Sequence, residues 1–525
     1  MPRLVRRPLA RTFLRAVAPL AISVAVSITQ LPAPAWGNPS LSQNEKAVVT
    51  FFDTIRHSPP MLRAFLGRMP KGADLNIHLT GATYAEDYLR WAAEEGLCVD
   101  NNTAAILAPA GQRCPTGSVS AVVVADNATA YQSAVASLSL PEVYASPAQR
   151  QHSALAIDKA VSAISLRHQP AMLATLMQRA ASQGIVYLEV MVPLYPASLP
   201  ETVRRVGWND DPAATLHALR EAGLFSEVDK FASRAEEWIR EARQMSGSPV
   251  DIRLIIPVTR NAPPENVLAQ LAFSAEVTRR SPHVVGMALT GPETAPLSLR
   301  DYNLHMRLLS ALLSLPEYAD IPVALHAGER TIGQVVPQEL RFPIRRAVDT
   351  GHTRRVGHGT SISYEDNPFT LLHTMREKRI AVEIYLTSDA QMLQVDGSEH
   401  PFAVYRRYGV PVVISTGAEG ILRTDLTNEY LRAARDYQLG YADLKALSRN
   451  SLEYSFLPGE SLWADSATFL LGEACKDSPV NHETASCARL LRESEKAALQ
   501  WQLEKAFTDF ERDMARTAPS SSERP

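Results

Sequence analysis

Residues 323–329 read V-A-L-H-A-G-E: three apolar residues, a histidine, two small residues and a carboxylic acid. An apolar run this short, closed by polar and small residues, fits a buried strand whose end opens on a pocket. The pattern recurs along the chain at Asp74–Leu79, Val186–Val192, Ile252–Pro257, Val284–Leu289, Arg355–Gly357, Ala381–Leu386 and Pro411–Ser415, making eight runs with Val323–Leu325. Helical periodicity fills the intervals at Ile157–Ser182, Ala213–Met245, Pro264–Arg279, Leu297–Leu315 and Thr370–Lys378, and follows the last run at Leu426–Ser451. Eight strands alternating with helices predict an α/β fold, a (β/α)8 TIM barrel, with an insertion after strand one at about 93–143 and C-terminal helical additions.

In such a barrel, the polar residues at the C-terminal strand ends face one pocket. Strand side chains alternate, so Asn76 and His78 share a face at the end of strand one. Strand four ends in L-T-G-P-E and places Gly291 where backbone can approach a ligand. Strand five brings His326 and Glu329, strand six His358, and strand eight Gly417 and Ala418. A lone histidine at a strand end is usually a hydrogen-bonded structural residue. Three histidines and a glutamate at the ends of three strands are hard to obtain from packing alone. Neutral imidazoles suit zinc, and an adjacent carboxylic acid suits proton transfer in metal-assisted hydrolysis.

The 525 residues carry 53 Lys+Arg against 56 Asp+Glu, 46% hydrophobic residues and a formal charge of −3, which is ordinary globular composition. With no basic field to neutralise phosphates, nucleic acid is not an expected partner. Arg3, Arg6, Arg7, Arg11 and Arg15 precede the apolar run Ala16 to Leu31 and the A-x-A pattern Ala33-Pro34-Ala35. This predicts a signal peptide over 1–35 and a periplasmic or secreted location, by the general or the twin-arginine route. The run is shorter than the roughly 20 residues a spanning helix needs, so no stable membrane span is expected after cleavage. A helical lead-in over 36–65, the barrel over 66–458 and an extension over 459–525 with a polar tail complete the organisation. Four cysteines suit an oxidising compartment. Cys98 with Cys114 and Cys475 with Cys487 are the expected local pairs among three pairings, and without C-x-x-C spacing a four-cysteine zinc site is not expected.

The stretches M-P-K-G-A-D-L-N-I-H-L-T-G-A (Met69–Ala82), L-T-G-P-E (Leu289–Glu293), H-A-G-E (His326–Glu329), R-V-G-H-G (Arg355–Gly359), L-T-S-D (Leu386–Asp389) and Y-G-V-P-V-V-I-S-T-G-A-E-G (Tyr408–Gly420) together resemble the adenosine deaminase family, in particular its secreted branch, from about Leu66 to Pro458. The resemblance implies hydrolytic deamination of adenosine to inosine and ammonia. It also implies one zinc held by both histidines of an H-x-H, the H-A-G-E histidine and an aspartate after S-T. His78 and His326 match two of these ligands. Glu329 matches the acid that protonates the purine ring nitrogen, His358 the histidine that orients the zinc-bound hydroxide, and Gly291 a glycine that binds the purine through its backbone.

The departures are equally specific. Asn76 replaces the first histidine of H-x-H, Gly417 the aspartate ligand and Ala418 a neighbouring substrate-binding aspartate, while Thr80 stands where many members carry an aspartate for the ribose. Catalytic zinc normally takes three protein ligands. Loss of even an outer partner lowers metal affinity or activity about 10- to 100-fold, so two lost ligands imply a loss of at least roughly 10²–10⁴-fold. Zinc binding is expected to be weak or absent and deamination severely impaired. The expected partner remains a purine nucleoside, with a homodimer through the inserted segment compatible with the sequence. Two alternatives are a noncatalytic nucleoside-binding or interaction protein and a hydrolase for another purine or ring substrate, its metal site rebuilt with Asp389 or Glu383. Glu419 is not expected to substitute for the lost aspartate.

Overall fold

A computed structural model describes residues 41–140, 147–480 and 482–517, with side chains described from 153 onward in the second segment. The expected signal peptide over 1–35 and the polar ending after Ala518 lie outside the described residues, as does the end of the insertion at 141–143.

The eight anticipated strands form one parallel sheet in chain order. They are β1 (Gly72–His78), β2 (Ile185–Met191), β3 (Asp251–Thr259), β4 (Val284–Thr290), β5 (Val323–Ala327), β6 (Arg355–His358), β7 (Ala381–Ile384) and β8 (Val412–Ile414). The barrel closes through a parallel bridge between Ile77 and Gly417. There the His78 amide donates to the Gly417 carbonyl (2.8 Å), and the Gly417 amide donates to that of Asn76 (3.1 Å). Every residue of β4, β5, β6 and β7 is buried, which explains why these segments read as apolar runs rather than alternating patterns.

Three long helical readings, and the Leu297–Leu315 reading, break in two. Ile157–Ser182 is divided between α1 (Pro147–Ser165) and α2 (Gln169–Ser182), where Pro170 lacks the amide that would continue the first helix. Ala213–Met245 becomes α3 (Pro212–Glu221) and α4 (Val228–Ser246), interrupted at Gly223 with φ +88°. Leu297–Leu315 divides at Asp301 into Pro296–Arg300 and Tyr302–Leu313, and Leu426–Ser451 divides before Gly440 into Leu426–Asp436 and Tyr441–Glu453. The helix read at Pro264–Arg279 runs over Pro264–Arg280, and that at Thr370–Lys378 over Pro368–Glu377.

The inserted segment contains a three-stranded antiparallel sheet built from Cys98–Asp100, Ile106–Leu107 and Ser118–Ser120. A disulfide joins Cys98 to Cys114, and another joins Cys475 to Cys487. Beyond the barrel, the helix Glu495–Thr517 lies against the N-terminal helix Pro59–Arg68, where the Phe510 ring meets Phe65 edge-on at 5.2 Å, and against Tyr441–Glu453, where Glu511 pairs with Lys445 at 2.6 Å.

Charge also sits inside the barrel. Buried Arg355 on β6 is held between Glu189 on β2 and Glu383 on β7, both at 2.6 Å, with its guanidinium 3.7 Å from the centroid of the Phe456 ring. A buried ion pair persists only when its remaining lone pairs are satisfied. Here Tyr187 and the Phe456 amide donate to Glu189, and Tyr385 and Asn76 donate to Glu383.

Candidate active site

A cavity of about 470 Å³ opens at the C-terminal strand ends and is lined by Asn76, His78, His326, Glu329 and His358 among others. Thr80, Gly291, Gly417 and Ala418 also reach it, so the candidate pocket residues anticipated from sequence converge on one space. Gly291 has φ +92°, a conformation that L side chains rarely adopt. Asp158 of α1 also lines the cavity; burial raises its carboxyl and the nearby Thr80 side chain opposes the rise. Nothing in the local sequence of Asp158 marked it, because a helix from the far side of the insertion delivers it.

Strand alternation explains why Asn76 and His78 both face inward, yet the two behave differently. Burial and the neighbouring His326 ring hold His78 down to about 3, as a neutral imidazole. Its ring stands edge-on to that of His326 at 5.5 Å. Asn76 is fully buried, and its Nδ2 donates to Glu383 Oε2 at 2.7 Å while lying 3.3 Å from His326 Nε2. Its Oδ1 is buried without a hydrogen-bond partner.

The Glu329 carboxylate lies between two rings, 3.8 Å from His326 Nδ1 and 3.8 Å from His358 Nε2. Behind His358, Nδ1 contacts Asp389 Oδ1 at 2.7 Å, and the other Asp389 oxygen contacts His400 Nε2 at 3.0 Å. The Phe402 amide donates to His400 Nδ1, which makes Nε2 the donor to Asp389. Burial pushes His358 down, but Glu329 and Asp389 outweigh it and raise the ring to about 9. Burial likewise pushes Glu329 and Asp389 up, and the adjacent His358 outweighs it, holding each near about 2. The result is an imidazolium between two carboxylates.

The loop that carries Glu329 is fixed from beneath. Glu293, the fully buried acid of L-T-G-P-E, accepts the amides of Gly328 (3.2 Å) and Glu329 (2.6 Å) and pairs with Arg330 (3.1 Å). Sequence reading quoted this glutamate without giving it a role. It also passed over Tyr385 and His400, which are brought to the site by packing rather than by spacing. Tyr385 lies 4.4 Å from the His358 ring and donates to Glu383.

Asn76 and Gly417 occupy the two positions where the family resemblance implies zinc ligands. Gly417 has φ +69°, and a Cβ built there would sit 3.4 Å from the Tyr385 ring. The carboxylates considered as replacements are already engaged: Glu383 with Arg355, Asn76 and Tyr385, and Asp389 with His358 and His400. Glu419 pairs with Arg179 at 2.8 Å. Among the described residues, one group of potential donor atoms converges within 4.8 Å, from His326, Glu329 and His358. It omits His78, and for Glu329 and His358 the family resemblance implies acid–base roles rather than ligation.

The adenosine deaminase family profile matches residues 158–463, more than half of the chain. The chain belongs to the adenosine deaminase family. Among its relatives, the adenosine deaminase of Enterococcus faecalis is 34% identical over 181 residues, 34% of this chain and 47% of the relative. The N6-methyl-AMP deaminase of Danio rerio is 26% identical over 300 residues, 55% of this chain and 74% of the relative. The aligned region thus spans less than half of the first protein and about three quarters of the second. An Arabidopsis ADAL structure complexed with IMP superposes with a TM-score of 0.52 at 18% identity, covering 85% of this chain and 99% of that one, a likeness of fold. Family membership brings the metal-dependent amidohydrolase type, while two positions where the resemblance implies zinc ligands carry neither a histidine nor a carboxylate. Gly417 offers no side chain, and Asn76 presents an amide N–H to the nitrogen of His326 that lies nearest strand one. Among the described residues, no helix is long and apolar enough to cross a membrane.

Proposed function

We propose that this chain is a purine-nucleoside-binding member of the adenosine deaminase family whose inherited conversion of adenosine to inosine is severely impaired. One observation carries the reading: Asn76 is bound to Glu383 and faces His326 Nε2, where the family places a zinc ligand. Gly417, on the neighbouring strand end beside Tyr385, supports it by offering no side chain. The pocket keeps what a purine needs apart from the ion. Glu329 and His358 offer an acceptor and a donor side by side to the edge of a heterocycle, Gly291 offers backbone, and Thr80 with Asp158 offers hydroxyl and carboxyl groups to a sugar. The signal-like N-terminus and the two disulfides support a periplasmic or secreted site of action.

Calorimetry with adenosine and inosine, together with the ultraviolet change on deamination, tests the reading. Saturable binding of a nucleoside with turnover at least roughly 10²–10⁴-fold below an intact family member is expected. Rapid turnover would overturn the impairment, and absence of binding to either nucleoside would overturn the purine pocket.

A further inference from the structure

At position 76, where the resemblance implies a zinc ligand, a carboxamide faces Glu383 and His326. Glu383 Oε1 is paired with Arg355, and its Oε2 accepts from Tyr385 and from the side-chain amide of Asn76. A carboxylate only accepts, so the Asn76 atom facing it is the NH2 group, which fixes the carboxamide orientation. That NH2 has a second hydrogen, and the polar atom within reach is His326 Nε2 at 3.3 Å. The ring nitrogen must therefore present its lone pair. In a neutral imidazole the proton then sits on Nδ1, which faces Glu329 Oε2 at 3.8 Å.

We infer that Asn76 is a positioning residue that takes over the organising role of the family's ion: its carboxamide ties β1 to β5 and β7 and locks His326 in the Nδ1–H form directed at Glu329. A metal bridging the strand ends would use lone pairs on the imidazoles as ligands. The carboxamide instead fills one lone pair with a hydrogen bond, so the Glu329 side of the pocket is organised by protein atoms alone. This goes beyond the nucleoside reading, because the ring is set whether or not a purine binds. Failure of every purine to bind would remove that reading and leave this one intact.

Long-range 1H–15N correlation spectra of the histidine-labelled full-length protein test the inference. The expected result is His326 as the Nδ1–H tautomer, unchanged by chelator or by one equivalent of zinc, with Asn76→Ala shifting it toward the Nε2–H form. Finding His326 as Nε2–H in the unaltered protein, or displaced by stoichiometric zinc, would overturn it. If Asn76→Ala does not fold, the tautomer of the unaltered protein and its response to zinc still decide the matter.

Discussion

His358 is the residue whose surroundings most constrain what the pocket can do. With Asp389 on one nitrogen and Glu329 near the other, its raised value of about 9 favours folding fully below the ordinary imidazole value and progressively less as pH rises through about 9. Asp389, held near about 2, contributes above the ordinary carboxyl value and loses that contribution as pH falls toward about 2. In chelator-treated protein the pair should therefore stabilise most between roughly pH 4 and 6.5. Asp389→Asn should lower the melting temperature at pH 6 and flatten its decline between pH 6.5 and 9, measured by thermal denaturation across that range. An unchanged slope would show that Asp389 does not hold the His358 charge. At this scale, sequence revealed the chemistry-bearing residues and hid their supports. His78, His326, Glu329 and His358 stand at strand ends where their type is conspicuous. Tyr385, His400 and Asp158 acquire their places only when separate elements pack, and no spacing encodes that.

Among the elements, the strands were readable because burial on both faces leaves an uninterrupted apolar run, as in V-V-G-M-A-L-T of β4. Within that run Gly286 is a close-approach position. A Cβ there would lie 2.7 Å from the Pro322 carbonyl oxygen and 2.9 Å from the Phe456 ring, the same ring that lies beside Arg355. Gly286→Ala should therefore destabilise the protein by about 1–3 kcal/mol, read as a lowered urea midpoint with an unchanged denaturant slope. A neutral effect would mean that the β4–β5 edge yields easily. Helices were less legible. Apolar periodicity continues across Pro170, Gly223 and Gly440, so the pattern alone joins segments that backbone chemistry separates. The fold was thus fixed by strand count and order, while the helix breaks required attention to single residues.

Across the whole molecule, the barrel keeps the architecture of its family, and at two strand ends an amide, Asn76, and a glycine beside the Tyr385 ring, Gly417, stand where the resemblance implies metal ligands. The buried network from Glu189 through Arg355 and Glu383 to Asn76 links the barrel interior to the pocket floor. Returning a histidine to position 76 would therefore exchange the carboxamide that donates to Glu383 for an imidazole as well as add a ligand. An aspartate at 417 would have to adopt a left-handed backbone, with its Cβ in ordinary contact with the Tyr385 ring. The loss of metal chemistry proposed here would in this sense be a property of the assembled core rather than of two isolated substitutions. The most direct test is an anomalous difference map at the zinc edge from crystals equilibrated with excess zinc. No fully occupied peak bonded to His78 and His326 is expected, whereas a well-ordered four-coordinate zinc at those rings would show that the metal site is intact.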